Sequence, residues 1–305
     1  MKATRFTILA LSVTALLQAV PAPAATKLTI GYGHAGDFLP LLVAKDKGFL
    51  EKRGLDVQLL SIANGANSPG VVESGNVEIA FTTPSVLILA EAGGLDQVAV
   101  AGAARLLASN PRTALVTRAG ITVTKAEDLI GKRVGVPGLN QAFDLDIKKW
   151  MLDHGISLDR YSTIEAPLPQ LGDLLKAGKF DAAYFVEPML ARALAQGDGT
   201  KSVDIVSADN PDQLGSLWEA RRDWASANRP AVAAFRGALD DAIAYIAANT
   251  DDAKKIEKKY LNFAEPTLPD FATKIVPADF QYWIDILQQL KLLPKAVEAD
   301  KIVFK

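Results

Sequence analysis

Short runs of apolar and β-branched residues alternate with longer amphipathic stretches along most of the chain. The runs predict strands at 28–32, 57–62, 77–81, 98–101, 114–117, 133–136, 163–165, 182–186 and 203–206. Helices fit between them. Phe143, Ile147, Trp150 and Met151 form one helical stripe that Gly155 ends. Pro169 opens a shorter helix carrying Leu171, Leu174 and Leu175, which Gly178 stops. Such alternation builds α/β sheets with helices on their faces. Beyond residue 215 the strand signal fades. Two long helices are predicted there, at 230–249 and 277–293, the second carrying Phe280, Trp283, Ile284 and Leu287 on one side.

The pattern also repeats. Phe49-Leu50 followed by Gly54 returns as Trp150-Met151 followed by Gly155, and the stretch 74–81 returns as 177–184. Each copy reads helix, glycine stop, strand, loop, helix, glycine stop, strand. Two lobes of similar build are one reading, and the general likeness of α/β units is the other. For a chain of 305 residues, two sheets fit better than one.

The first segment has a different character. Lys2 and Arg5 precede an apolar run over 6–20, and Pro21, Ala22, Pro23, Ala24 and Ala25 follow with the small residues of a cleavage site. The run is about 15 residues, short of the roughly 20 needed to span a bilayer. Residues 1–24 therefore read as an export signal cleaved after Ala24, which places the protein in a Gram-negative-type periplasm.

Charge and rare residues narrow the chemistry. With 33 basic against 35 acidic residues, the chain lacks the basic excess that nucleic-acid binding requires. It contains no cysteine, which excludes disulfides, thiolate metal sites and cysteine nucleophiles. Its two histidines, His34 and His154, would hold a metal only with carboxylate help, and no metal or cofactor is predicted. His154 stands at a predicted helix C-terminus, where the dipole favours a cation. No Gly-x-Ser-x-Gly, His-Glu-x-x-His or phosphate-binding loop is present.

Gly31-x-Gly33-x-x-Gly36 follows a strand and matches the letters of the dinucleotide fingerprint. The acidic residue that should close the second strand is missing, because Asp56 opens that strand instead. These glycines more simply let a strand end turn tightly or approach a ligand. Ligands of open α/β sheets settle beyond the carboxyl ends of strands. Marking those ends selects the loops 33–38, 63–68, 82–85, 137–141, 165–170 and 187–188. The candidate contacts on them are His34, Asp37, Phe38, Asn64, Asn67, Thr82, Thr83, Ser85, Asn140, Gln141 and Glu187. Arg105 is the one cation placed near a strand end, as a partner for an anionic group. Helix capping is the competing use of several of these residues, Thr83 and Glu187 above all.

The blocks 40–44, 47–57, 73–80, 129–137 and 182–188 resemble, in order, the periplasmic substrate-binding proteins of ABC importers for nitrate, sulfonates and taurine. The wider group includes relatives of the thiamine-pyrimidine-binding proteins, and the resemblance covers about 28–240. It implies an α/β, two-lobed periplasmic binding protein of type II, with two sheets flanked by helices and a hinge between lobes. Lobe one is then 26–113 plus 212–305 and lobe two 114–211, with crossings near 110–118 and 207–216. It further implies a monomer that is not an enzyme, needs no cofactor, and delivers a small-molecule ligand to an ABC permease at the inner membrane. Cleft-lining positions carried over are 36–38, 63–68, 82–85, 138–142 and 187. One departure bears on the ligand. Where many relatives have a Ser/Thr-rich glycine loop, this chain has Gly138, Leu139, Asn140, Gln141, Ala142, Phe143 and Asp144. That composition favours an organic solute with hydrogen-bond donors, aromatic or heterocyclic, over a nitrate-like or compact sulfonate one, and the expected ligand is a small organic molecule or anion of sulfonate, pyrimidine or aromatic acid type. A sensing role at a membrane receptor is an alternative. The pyrimidine synthases that share the fold need a reactive lysine and a Cys-rich metal-binding run, and this chain has no cysteine.

Overall fold

The computed structural model describes residues 25–206 and 211–305; the export signal expected at 1–24 lies outside them. In chain order the strands are β1 (Thr26–Tyr32), β2 (Leu55–Ser61), β3 (Ile79–Thr82), β4 (Gln97–Leu107), β5 (Thr113–Thr117) and β6 (Arg133–Val136). They continue with β7 (Ser162–Glu165), β8 (Ala182–Val186), β9 (Thr200–Lys201), β10 (Asp212–Arg221) and β11 (Asp270–Phe271). They form two sheets, ordered β11-β4-β10-β3-β1-β2 and β7-β6-β8-β5-β9. The first sheet draws on both ends of the chain and the second on its middle.

Both sheets use one plan. In the first, β1 pairs parallel with β2 and β3, and β3 then pairs antiparallel with β10. In the second, β6 pairs parallel with β7 and β8, and β8 pairs antiparallel with β5. The glycines of the sequence repeat fall at matching points: Gly54 and Gly155 both have φ above +70°, and Gly75 and Gly178 have φ of 76° and 70°. Each stops a helix in the left-handed conformation that glycine adopts without cost.

Two expectations are corrected. The strand signal does not end near residue 215, because β10 runs on to Arg221 in the middle of the first sheet. Its pairing with β4 shifts register after Leu214, Ser216 and Trp218, so inward and outward positions lose the period of two. Gln213, Ser216 and Glu219 are buried there despite their polarity. The strand expected at 203–206 is also absent. The edge of the second sheet is instead Thr200–Lys201 against β5, while Val203 contributes only a carbonyl to Leu115 N at 2.8 Å.

Packing follows the apolar stripes. On one face of the first sheet Trp218 meets Phe38 and Phe235, with ring centroids 5.3 and 5.6 Å apart. The helix Arg229–Ala248 lays Val232, Phe235, Leu239 and Ile246 onto that face. The helix Ala278–Gln289 buries Phe280, Trp283, Ile284 and Leu287 on the other. The second sheet is filled by Val134, Ile147, Met151 and Tyr184 on one side and by Leu171, Leu175, Phe180 and Phe185 on the other.

The lobes also pack on each other. The helix Ala142–Asp153 belongs to the middle of the chain, yet its Ala142 and Leu145 join the cluster of Leu87, Ile88, Phe280 and Trp283. Tyr282 Oη stands 3.2 Å from Asp146 Oδ1 beside them. Leu145 is fully buried at this junction. Leu145→Ala is expected to lower the unfolding free energy by about 3 kcal/mol, measured by urea denaturation, since the cavity spans two lobes that cannot both collapse onto it.

Candidate functional site

The carboxyl ends of β1, β2 and β3 carry the loops 33–38, 62–68 and 83–85, and those of β6, β7 and β8 carry 137–141, 166–170 and 187–188. The two sets of tips meet. Gln141 Nε2 donates to Asn64 Oδ1 at 3.1 Å across the gap between lobes. Asn64 Oδ1 also accepts from Ala66 N at 3.0 Å, which fixes the amide in place.

Glycine makes the first set of tips possible by its missing side chain. A Cβ on Gly33 would stand 2.8 Å from Phe81 Cζ, and one on Gly65 would stand 2.9 Å from Phe81 Cε2. The Phe81 ring therefore occupies the space between two strand ends. It remains half-buried, with its centroid 4.7 Å from Phe38. Tyr32 is half-buried nearby in sequence to the exposed His34, their rings edge-on at 5.8 Å. The other glycines of the fingerprint-like motif are crowded as well: Gly31 by Ile62 Cδ1 at 2.4 Å and Gly36 by Glu265 Oε1 at 2.3 Å. Protein side chains account for all three.

The second set is tied down by hydrogen bonds. Leu139 N donates to Glu165 Oε2 at 3.2 Å, and Asn140 N donates to Asp144 Oδ2 at 2.7 Å. Lys148 Nζ bridges Asn140 Oδ1 and Asp144 Oδ2 at 2.9 and 2.6 Å. Asn140 is left-handed, with φ of 57°, a conformation that suits a short amide side chain. Gly138 leaves room for the Gln141 side chain, whose Nε2 would be 2.1 Å from a Cβ there.

The remaining candidates divide by surroundings. Thr83 and Ser85 keep their hydroxyls 3.3 Å apart at the start of the helix Pro84–Gly93. Asn67 is exposed on its loop. Four of the expected contacts have other engagements within the protein. Phe38 is a core residue, 3% exposed, tilted against Phe81 and edge-on to Trp218. Thr82 is fully buried at the end of β3. Glu187 Oε2 accepts from Ala191 N at 3.1 Å and so serves as a helix cap. Arg105 lies between Asp212 and Asp279, 2.9 Å from the latter, beside a hollow of about 520 Å³ that none of the strand-tip loops lines.

Asp37 is engaged too, and its partner was not foreseen. Arg112 Nη1 is 3.1 Å from Asp37 Oδ1, and Ser216 Oγ donates to Asp37 Oδ2 at 2.8 Å. The other guanidinium arm bonds Glu265 Oε2, while Gly36 N donates to Glu265 Oε1 at 3.0 Å. Burial pushes the Glu265 carboxyl up to about 7 against the pull of Arg112, and burial raises Glu257 as well. Arg112 lies between β4 and β5, within the first predicted crossing, which was the available sequence signal. Its partners 75 and 153 residues away carried none. Arg112 and Lys148, beside the tips, are both paired with carboxylates.

Two similar sheets built from split and middle segments, with facing strand tips, define the two-lobed periplasmic-binding-protein fold. The structure superposes on the crystal structure of the periplasmic aliphatic sulphonate binding protein SsuA from Escherichia coli with a TM-score of 0.77, covering 92% of this chain and 98% of that one at 20% identity. The family profile described as NMT1/THI5 like matches residues 35–253, and the chain belongs to that family. Among curated relatives, a 4-amino-5-hydroxymethyl-2-methylpyrimidine phosphate synthase (THI13) of Saccharomyces cerevisiae is 23% identical over 257 residues, 80% of this chain and 73% of the relative. The taurine-binding periplasmic protein of E. coli is 28% identical over 228 residues, 73% of this chain and 68% of the relative.

The crowding around Phe81 sets a test. Gly33→Ala is expected to cost about 1–3 kcal/mol in thermal or urea unfolding, because an aromatic ring must shift. Gly70→Ala, which meets nothing within 4 Å on the helix Ser68–Glu73, should be neutral or slightly stabilising.

Proposed function

We propose that the protein is the periplasmic solute-binding component of an ABC importer, exported by its cleaved leader, and that it grips a small organic solute between the two sets of strand tips. The observation that carries this reading is the Gln141–Asn64 bond, which brings one amide from each lobe together at 3.1 Å. A solute entering there would replace a bond between lobes by bonds to both, so its binding energy would favour the closed arrangement.

The surroundings favour a neutral, flat solute. Asn64, Gln141 and Thr83 offer neutral donors and acceptors, and Phe81 and Tyr32 offer ring surfaces. The guanidiniums that would neutralise a sulfonate or nitrate are engaged, Arg105 by Asp212 and Asp279 and Arg112 by Asp37 and Glu265. The taurine and sulphonate relatives support the transport role, and the synthase relative supports a pyrimidine-like solute. A non-enzymatic role accords with the taurine and sulphonate relatives, which are named as binding proteins.

Native mass spectrometry of the purified mature protein should find a co-purified small molecule. In a melting screen of nitrate, taurine, alkanesulfonates, hydroxymethylpyrimidine and aromatic acids, hydroxymethylpyrimidine is expected to stabilise. At one hundred times its dissociation constant the gain should be about 2.7 kcal/mol. Asn64→Ala combined with Gln141→Ala should remove that gain and leave the melting temperature of the free protein nearly unchanged. Stabilisation by the oxyanions alone would sink the neutral-solute reading. An undiminished gain in the double variant would sink the placement of the cleft.

A further inference from the structure

Arg112 belongs to one lobe by its backbone and to the other by its side chain. Its carbonyl accepts from Glu187 N at 2.9 Å, extending the β5–β8 ladder. Its guanidinium, with a side chain only 1% exposed, is buried against Asp37 and Glu265 of the first lobe. A third carboxylate completes the nest. Glu257 Oε2 accepts from Glu265 N at 2.9 Å, and Glu257 Oε1 is buried without a hydrogen-bond partner. The bare Cα of Gly36 locates the pair, since a Cβ there would be 2.3 Å from Glu265 Oε1 and 2.8 Å from Glu257 Oε1. The two oxygens thus lie within about 5 Å of each other, close enough for strong repulsion if both groups are ionised.

The charges facing this pair come from each neighbouring element. The cleft loop supplies Asp37, the crossing supplies Arg112, and the helix Thr250–Leu261 supplies Glu257 itself and Lys254. Lys254 Nζ is drawn aside to the Pro266 carbonyl at 3.0 Å, and β10 contributes only the neutral Ser216. Three acids therefore surround one buried guanidinium. Such a group is relieved when one acid carries a proton.

We propose that Glu257 and Glu265 hold one proton between them, and that losing it at higher pH loosens the seat of Arg112 and with it the attachment of the second lobe to the cleft loop. The sign follows from linkage. Glu265 is raised by burial from 4.5 to about 7, so the folded protein holds the proton more tightly than the unfolded chain. The stability this contributes is whole below the unfolded value and is lost as pH rises through 7. Its bearing on solute capture rests on the transport reading, but the test uses no solute, so either can fail alone.

Thermal unfolding of the full mature chain between pH 5 and pH 8 should show the melting temperature falling by roughly 5 °C. Glu257→Gln keeps an acceptor for Glu265 N and removes the excess charge, so it should flatten that fall. Glu265→Gln should do the same and serves if the first variant does not fold. Because the chain has no cysteine, Asn67→Cys with Leu139→Cys places one spin-label pair on exposed loops of opposite lobes. The distance distribution should broaden from pH 5 to pH 8, and Glu257→Gln should abolish the broadening. A melting temperature that is flat or rises over this range, a fall retained in both glutamine variants, or a distance distribution indifferent to pH overturns the proposal.

Discussion

A buried guanidinium must be paired, because the cost of leaving it alone in a dry interior exceeds most single contributions to stability. Arg112 meets that demand with groups from well-separated parts of the chain, Asp37 and Glu265. Since its backbone extends the β5–β8 ladder of the second sheet, its pairing also sets how one lobe stands against the other. Asp37 passes the constraint on, through Ser216 to β10 and through its own loop to the tip of β1. The geometry of the cleft loop is thus a consequence of charge neutralisation at the hinge.

That arrangement has a chemical result for the cleft. Charged groups near the tips are consumed in holding the frame: Asp37 by Arg112, Glu187 as a helix cap, and Asp144 with Lys148 under the Asn140 loop. The side chains that meet across the gap, Gln141 and Asn64, are neutral amides. A fold shared with binders of charged solutes can in this way present a neutral surface, because the fold places the tips and the tip residues decide the chemistry.

Much of the frame was legible in the sequence for reasons that are local. The glycine stops at 54, 75, 155 and 178, the apolar stripe of 143–151 and the cluster of 280–287 report on their own neighbourhoods, and each element formed where the pattern put it. The failures have a shared cause as well. β10 was invisible past 215 because three register shifts scramble its alternation and polar side chains sit inside it. Phe38 and Thr82 occupy loops and strand ends that point to a ligand by position, but which way a side chain turns there depends on Trp218 and on the covering helices, remote in sequence. The facing pair Asn64 and Gln141 was within reach because both lie on loops at strand ends. The Arg112 nest was not, since nothing in the spacing of 37, 112, 257 and 265 marks them as neighbours.

The direct contacts between lobes bear on how such a clamp can work. Leu145 buried beside Phe280 and Trp283, the Tyr282–Asp146 contact, and the Gln141–Asn64 bond are all made between protein groups. Their energy belongs to the protein, so it lowers the amount a solute must supply to shift the population of closed molecules. A solute gains leverage only from contacts that differ between open and closed forms. Of the three, the amide bond is the one a solute can replace by better bonds, because it lies between the tips. The apolar contact lies beside the hinge, where it can bias the lobes together without touching what they hold. Separating those two tasks lets the tips vary with the ligand while the closing bias stays fixed.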